Sequence, residues 1–229
     1  MINVNFLRQR TEDLARKHSS GWETTDEWNR HLSDSQIILF NFYYSIFEKT
    51  RRVSDALSPF IKNESITLTQ GIGVLPADYC HLNDVCIASA INPTECGEEP
   101  SETIYECPAL RRNERSETLS SSIRKPSIAK NIYRHEVEFP NIRVWPKETP
   151  SASLNYFRKP NEAIWAGGLN AITGIETYNA ASSIDLEWGA TEQGNLLDLM
   201  LLHKGLAIRE NELIQWAGAK SGLVYQIVK

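Results

Sequence analysis

The chain has 229 residues, enough for one large domain or two small ones and for burial of roughly 70–75% of its unfolded surface without a metal or disulfide staple. Hydrophobic residues make up 41% and charged residues 23%, a globular mix, and 12 Gly with 10 Pro exclude collagen-like or low-complexity architecture. Lys and Arg total 24 against 29 Asp and Glu, and a net charge of −5 argues against a broad phosphate-gripping face for nucleic acid.

Residues 3–18 have helical spacing, with Phe6, Leu7, Leu14 and Ala15 on one apolar stripe. The run 1–10 mixes Asn, Gln and Arg among its apolar residues and lacks the apolar core of a secretory signal. Gly21 ends this segment, and Asp26 is placed to cap a short helix through Leu32. Ser33 to Gln36 has the form of a capping box that opens a third helix to about Ala56, closed by Pro59. Ile37 to Phe47 is apolar nearly all round, which predicts a central helix contacted on several sides. It is too short to cross a bilayer.

Beyond residue 62 the period changes to two. Ile66 and Leu68 alternate with Thr67 and Thr69, Gly71 and Gly73 break the strand, and Leu75 to Tyr79 makes a turn. Val85 to Ala88 is a further short strand. Tyr133, His135, Val137 and Phe139 alternate with Arg134, Glu136 and Glu138, and the chain turns at Pro140-Asn141 and returns through Ile142 to Trp145 as a β-hairpin. Ala152, Leu154 and Tyr156 follow, and Ile184, Leu186 and Trp188 alternate with Asp185 and Glu187 in a last strand. Thr191 caps a helix through about His203, stopped by Gly205. A second helix over 208–217 carries Leu213, Ile214 and Trp216, and a tail runs from Leu223 to Val228.

Helices, strands and helices in that order predict an α+β fold. A helical bundle formed by both chain ends would carry an inserted small antiparallel β-sandwich or barrel, with parts at 1–62, 63–188 and 189–229. Leu196, Leu197, Met200 and Leu213 are the residues expected to cover the Ile37–Phe47 helix.

Little chemistry stands out. Cys80, Cys86, Cys96 and Cys107 form no close pair of the kind zinc sites use, so free thiols are expected and no metal or other cofactor. Histidines at 18, 31, 81, 135 and 203 are scattered. His135 reads as packed and hydrogen-bonded, and His203 as a helix-dipole partner. The stretch from Ala166 to Asn170 lacks the spacing of a phosphate-binding loop. Trp22 and Trp28 read as core or interface anchors, and the six Trp form no stacking platform for bases. Arg111, Arg112, Arg115, Arg124 and Lys125 form the one basic cluster, diluted by Glu114 and Glu117. Asp185 and Glu187 share a strand face and could serve as acid and base on a sugar, though the solvated face of a half-buried strand explains them as well.

Residues 92–130 hold four Pro, a Ser run and mixed charges with little periodicity. Such a stretch cannot build its own core, so neighbouring subunits are expected to order it through Ile104, Tyr105, Leu110, Leu119 and Ile123, with Arg111 and Arg112 on the polar rim. Val224, Tyr225 and Ile227 in the tail could add a strand to a partner.

Two ordered patterns then carry a resemblance. The first is a helix ending near Pro59, a strand, and Leu75-Pro-Ala-Asp-Tyr79. The second is Ile142-Arg-Val-Trp-Pro146, then Leu154-Asn-Tyr-Phe-Arg-Lys-Pro160, then Asp185-Leu-Glu-Trp188 entering a helix. Over roughly residues 30–217 this resembles the head-to-tail connectors, the tail adaptor or ring proteins, of short-tailed bacteriophages, including crAss-like phages. Gly189 stands where a proline is common in them. The resemblance implies a non-enzymatic virion protein, made in the host bacterial cytoplasm and away from membranes. It implies a homo-oligomeric ring, a dodecamer, between the portal protein and the next tail component, with DNA passing through the channel without sequence-specific binding. The alternatives from other classes are a glycoside hydrolase using Asp185 and Glu187, or a sugar-binding adhesin on a β scaffold.

Overall fold

The computed structural model describes residues 1–16, 23–50, 55–91, 101–169 and 176–208. In chain order its helices and strands are α1 (Val4–Arg16), α2 (Thr25–Thr50), β1 (Ile61–Thr67), β2 (Ile72–Val74), β3 (Tyr79–Ile91), β4 (Ser101–Glu106), α3 (Arg115–Ser120), β5 (Arg134–Glu138), β6 (Asn141–Trp145), β7 (Ser151–Arg158), β8 (Gly167–Leu169), β9 (Glu176–Tyr178) and α4 (Gln193–Ile208). The fold is mixed α+β with antiparallel sheets, and the sheets do not close into a barrel. The chain divides into two compact units, one from Met1–Pro59 with Pro160–Lys229, the other from Phe60–Lys159. Residues 160–188, expected with the β module, thus group with the chain ends.

In the unit made from the chain ends, α2 is one continuous helix rather than two. The capping box forms at Thr24 and Glu27, not at Ser33 and Gln36. The Glu27 N–H donates to Thr24 Oγ1 at 3.3 Å, and the Thr24 N–H donates to Glu27 Oε2 at 2.9 Å. Ser35 and Gln36 are instead buried in mid-helix, where Ser35 Oγ lies 3.5 Å from Met200 Sδ on α4. Leu32, Leu39, Phe40 and Phe47 form the buried stripe of α2, while Ile37 and Ile46 stand at its exposed edge, so the helix is covered on one broad side and not all round. Leu196, Leu199, Met200 and Leu201 of α4 are buried. Leu213 lies outside the described residues.

The Phe60–Lys159 unit holds a four-stranded sheet in the order β1-β7-β3-β4 and a three-stranded sheet in the order β2-β6-β5. Strand period two puts Ile66, Val85, Ile87, Leu154 and Tyr156 of the first sheet and Ile142 and Val144 of the second into one core with Leu68, Leu75, Cys107 and Tyr133. The β5–β6 hairpin pairs Arg134 with Trp145 through Glu138 with Asn141, so Phe139 and Pro140 form its two-residue loop. Gly71 has φ +76°, and a Cβ there would lie 2.5 Å from the Val144 carbonyl oxygen. Only glycine meets both demands at this turn.

The expected last strand is absent. Ile184 and Leu186 make single bridges, to Ile164 and Ile2, and Trp188 is buried with the chain-end unit.

Candidate functional site

The turn at Leu75–Tyr79 is fixed by a polar network at the end of the β-unit core. Tyr156 on β7 and Lys62 and Glu64 on β1 point to the same side as Ile66 and Leu154 because strand partners share a face. The Tyr156 hydroxyl donates to Asp78 Oδ1 at 2.7 Å, and Lys62 Nζ donates to Asp78 Oδ2 at 3.0 Å while sitting 3.0 Å from Glu64 Oε2. The Lys159 N–H donates to the Asp78 carbonyl at 3.0 Å, and Tyr79 packs on the Tyr156 ring with centroids 5.9 Å apart. Burial pushes the Asp78 carboxyl up, but the hydrogen bonds from Tyr156 and Lys62, with the lysine's charge, hold it below the usual carboxylate range. The bond to Asp78 raises Lys62 above the ordinary lysine value, and burial with the same carboxylate raises Tyr156 above the ordinary tyrosine value. Each group is pinned in its resting charge state, the reverse of what an acid or base working near neutrality needs.

Asp185 and Glu187 lie apart in role. Asp185 Oδ1 accepts the Val4 N–H at 2.9 Å, and both its oxygens lie 3.2 Å from Asn3 Nδ2, so it caps the start of α1. Glu187 accepts the Asn161 N–H and Nδ2 at 3.0 Å each. Sequence reading missed these roles because the partners lie 26 and 181–182 positions away.

The segment expected to be an unstructured loop is organised from residue 101 onward. Residues 92–100 lie outside the described residues. The Cys107 N–H donates to the Val85 carbonyl, and the Leu110 N–H to the His135 carbonyl at 2.6 Å, so 107–110 is laced to β3 and β5. Cys107, Leu110, Thr118 and Pro126 are buried within their own chain. Leu110, at 6% exposure, is therefore not free to anchor a neighbour. Tyr105 is half-buried against Tyr133, with centroids 6.0 Å apart, and Leu119 is half-buried. Ile104 and Ile123 remain open, at 68% and 79% exposure. Val224, Tyr225 and Ile227 lie outside the described residues.

The basic cluster divides into two sets. Arg115 bridges Glu136 at 3.3 Å and Glu138 at 3.5 Å and lies over Trp145, 5.2 Å from the ring centre, while Arg112 reaches Glu136 at 3.3 Å. Arg143 Nη2 pairs with Glu138 at 3.0 Å. These contacts fasten the 112–120 segment over β5–β6. Arg111 and Arg124 make longer, exposed pairs at 3.7 Å with Glu114 and Glu117, and Lys125 and Lys130 are exposed. Beside them an open cleft of about 450 Å³ is lined by Leu119, 125–129 and 145–148.

His135 is buried as expected, with Nδ1 hydrogen-bonded to the Cys107 carbonyl, and burial lowers its pKa. The chain-end unit holds a cluster the sequence did not reveal. Glu23 binds His31 Nδ1 at 2.6 Å and Lys204 Nζ at 3.2 Å, and the His31 and His203 rings stack with centroids 5.5 Å apart. The i, i+8 spacing of Glu23 and His31 across a helix start carries no period that would flag it. Trp28 is a core residue, and Trp22 lies outside the described residues. Cys80, Cys86 and Cys107 are free thiols, with Cys107 pushed up to about 12 by burial; Cys96 lies outside the described residues. Among the described residues no three His, Cys, Asp or Glu side chains gather as metal ligands would, and no helix is long and apolar enough to cross a membrane.

No protein-family model matches the chain, and no curated protein matches it.

Proposed function

We propose that the protein is a structural subunit of a bacteriophage head-to-tail connector, one copy of a ring that sits below the portal around the DNA channel. The observation that supports this reading is the junction between the two motifs that carry the resemblance. Leu75–Tyr79 and Tyr156–Pro160 are far apart in sequence, yet Asp78 of one accepts the Tyr156 hydroxyl of the other at 2.7 Å, and the Lys159 N–H bonds the Asp78 carbonyl. In this reading the two motifs build one structural joint, and neither meets a substrate.

The chain-end unit supplies helices for side-by-side packing, and the β unit supplies edges and loops for neighbours and for the next tail component. Repeating one heterologous contact by rotation closes a ring, a dodecamer in the resembled proteins. A net charge of −5 suits a channel that passes DNA without gripping it, because negative walls repel phosphates. The test is to mix the purified chain with the portal protein of its own virion and measure native mass. A portal complex carrying many copies of the chain supports the reading. Absence of any complex at micromolar concentrations of both proteins overturns it.

A further inference from the structure

The charges of the β unit are separated along the chain to a degree that its own folding does not use. Residues 84–106 carry six Asp and Glu and no Lys or Arg. Residues 111–147 carry nine Lys and Arg against four Glu, a net of +5 in a chain whose total is −5. Among the described residues no ion pair joins the two sets: Arg111, Arg112, Arg115, Arg124 and Arg143 pair with Glu114, Glu117, Glu136 and Glu138 of their own segment.

Each segment carries an exposed apolar side chain with charges of the segment's own sign close by in sequence. Ile104 on β4 is 68% exposed and sits two positions from both Glu102 and Glu106. Period two places all three positions on one face of the strand, and β3 pairing puts Cys86 opposite Glu106, with Asp84 two positions before it on the same face. β4 is the last strand of its sheet and pairs only with β3 among the described residues. In the basic segment, Ile123 is 79% exposed and is followed by exposed Arg124 and Lys125, with Lys130 Nζ bonded back to the Ser122 carbonyl.

We propose that these are the two halves of one contact between copies of this chain: the acidic β4 face around Ile104 of one copy docks on the basic 122–130 segment around Ile123 of the next. The two patches differ, so the contact is heterologous and repeats head to tail. An apolar anchor inside a rim of one charge, meeting its opposite, has the layout of a specific interface. Nucleic acid is the less favoured occupant of the basic patch, because Glu114 and Glu117 sit within it and an acidic counterpart of matching size lies on the same chain. The inference deepens the ring reading and rests on it for the symmetry of the product.

The test uses the full chain in sedimentation equilibrium at about 50 and about 500 mM NaCl, where screening of exposed charge differs strongly. The basic patch is reversed by Arg124→Glu with Lys125→Glu, the acidic patch by Glu102→Lys with Glu106→Lys, and Ile123→Ser removes an anchor without changing charge. Circular dichroism checks that each variant is folded. The wild type is expected to self-associate with an affinity at least tenfold weaker at high salt. Each charge variant alone is expected to stay monomeric, an equimolar mixture of the two to associate again, and Ile123→Ser to weaken association at both salts. A monomeric wild type, variants that associate like the wild type, or a mixture that stays monomeric overturns the contact. Tight, salt-sensitive binding of a random-sequence DNA duplex by a monomeric wild type also overturns it and assigns the patch to nucleic acid. The two readings fail separately. Rings that form on the portal regardless of these charges overturn the contact alone, and charge-dependent association of a chain that ignores the portal overturns the ring alone.

Discussion

Tyr156 and Asp78 lie on elements 78 positions apart, and the 2.7 Å hydrogen bond between them ties the Leu75–Tyr79 turn to strand β7. Tyr156 is fully buried, and its hydroxyl lies within hydrogen-bond reach of Asp78 and Glu64, with Lys62 beside them. Apolar packing and a charged joint thus meet in one side chain, which explains why a polar turn holds its position at the end of a β core.

Replacing Tyr156 with phenylalanine keeps the ring and removes the donor. The bond runs to a carboxylate, but that carboxylate is about one-third exposed, so the expected cost is about 1–2 kcal/mol. Urea unfolding should show a lower midpoint at unchanged slope. Because Asp78 is held below its ordinary value, its stabilisation is present above the unfolded carboxylate pKa of about 4 and is lost as pH falls through the native value. The Tyr156→Phe change removes one of the groups holding that carboxyl down, so the variant should lose less stability than the wild type on acidification below about pH 4. Equal acid sensitivity would show that the bond does not form in solution.

Much of the fold was legible because its signals are local. The alternation from Tyr133 to Trp145 gave the hairpin to within a residue at its turn, since one face is buried and a slip would expose it. Boundaries of α2 were not legible. Ser33–Gln36 and Thr24–Glu27 both spell a capping box, and burial of Ser35 and Gln36 in mid-helix, Ser35 beside Met200 of α4, decides against the first. Residues 101–120 looked irregular because main-chain bonds and arginine–glutamate pairs, not apolar spacing, fasten them. The site was least legible of all: Asp78 and Tyr156 were visible as motif residues, but nothing local announces that they touch.

Gly71 is expected to resist substitution. An alanine there would take a left-handed φ and bring its Cβ to 2.5 Å from the Val144 carbonyl oxygen, a backbone atom that cannot swing away. Gly71→Ala should therefore cost more than about 1 kcal/mol, read as a lower thermal midpoint. Gly189→Ala is the control, since its Cβ would meet no atom closer than 3.5 Å and its φ is −64°. Similar losses in both variants would mean that the turn adopts another conformation.

Asp185 is expected to matter for stability and not for turnover. Its carboxylate caps α1 from a distant segment, and loss of a cap costs about 1 kcal/mol. Asp185→Ala should lower the unfolding midpoint by that amount, and Asp185→Asn, which keeps an acceptor for the Val4 N–H, by less. Sugar hydrolysis that the wild type performs and Asp185→Asn abolishes would overturn both this assignment and the non-enzymatic reading.

His135 gives the β unit a second sensitivity to acid. A carbonyl can only accept, so the bond to Cys107 fixes the proton of the neutral ring on Nδ1. Burial disfavours the imidazolium and outweighs the opposing pull of the Cys107 carbonyl and of Asp84, so the native ring titrates below its ordinary value. The unfolded chain, with an ordinary histidine near about 6.5, therefore takes up the proton first. By linkage the stabilisation is complete above about pH 6.5, drains as pH falls, and is gone once the native value has been passed. His135→Asn presents an amide N–H where Nδ1–H stood and has nothing to titrate in this range. Its urea midpoint should fall less between about pH 7 and about pH 5 than that of the wild type, although its stability at neutral pH is lower because the smaller side chain leaves space in the core. The His203 ring, lowered first by burial and then by His31, contributes a fall of the same sign in both proteins and cancels from the comparison. Imidazole resonances followed by NMR supply the direct check: a His135 midpoint at or above about 6.5 would contradict its burial as a neutral donor.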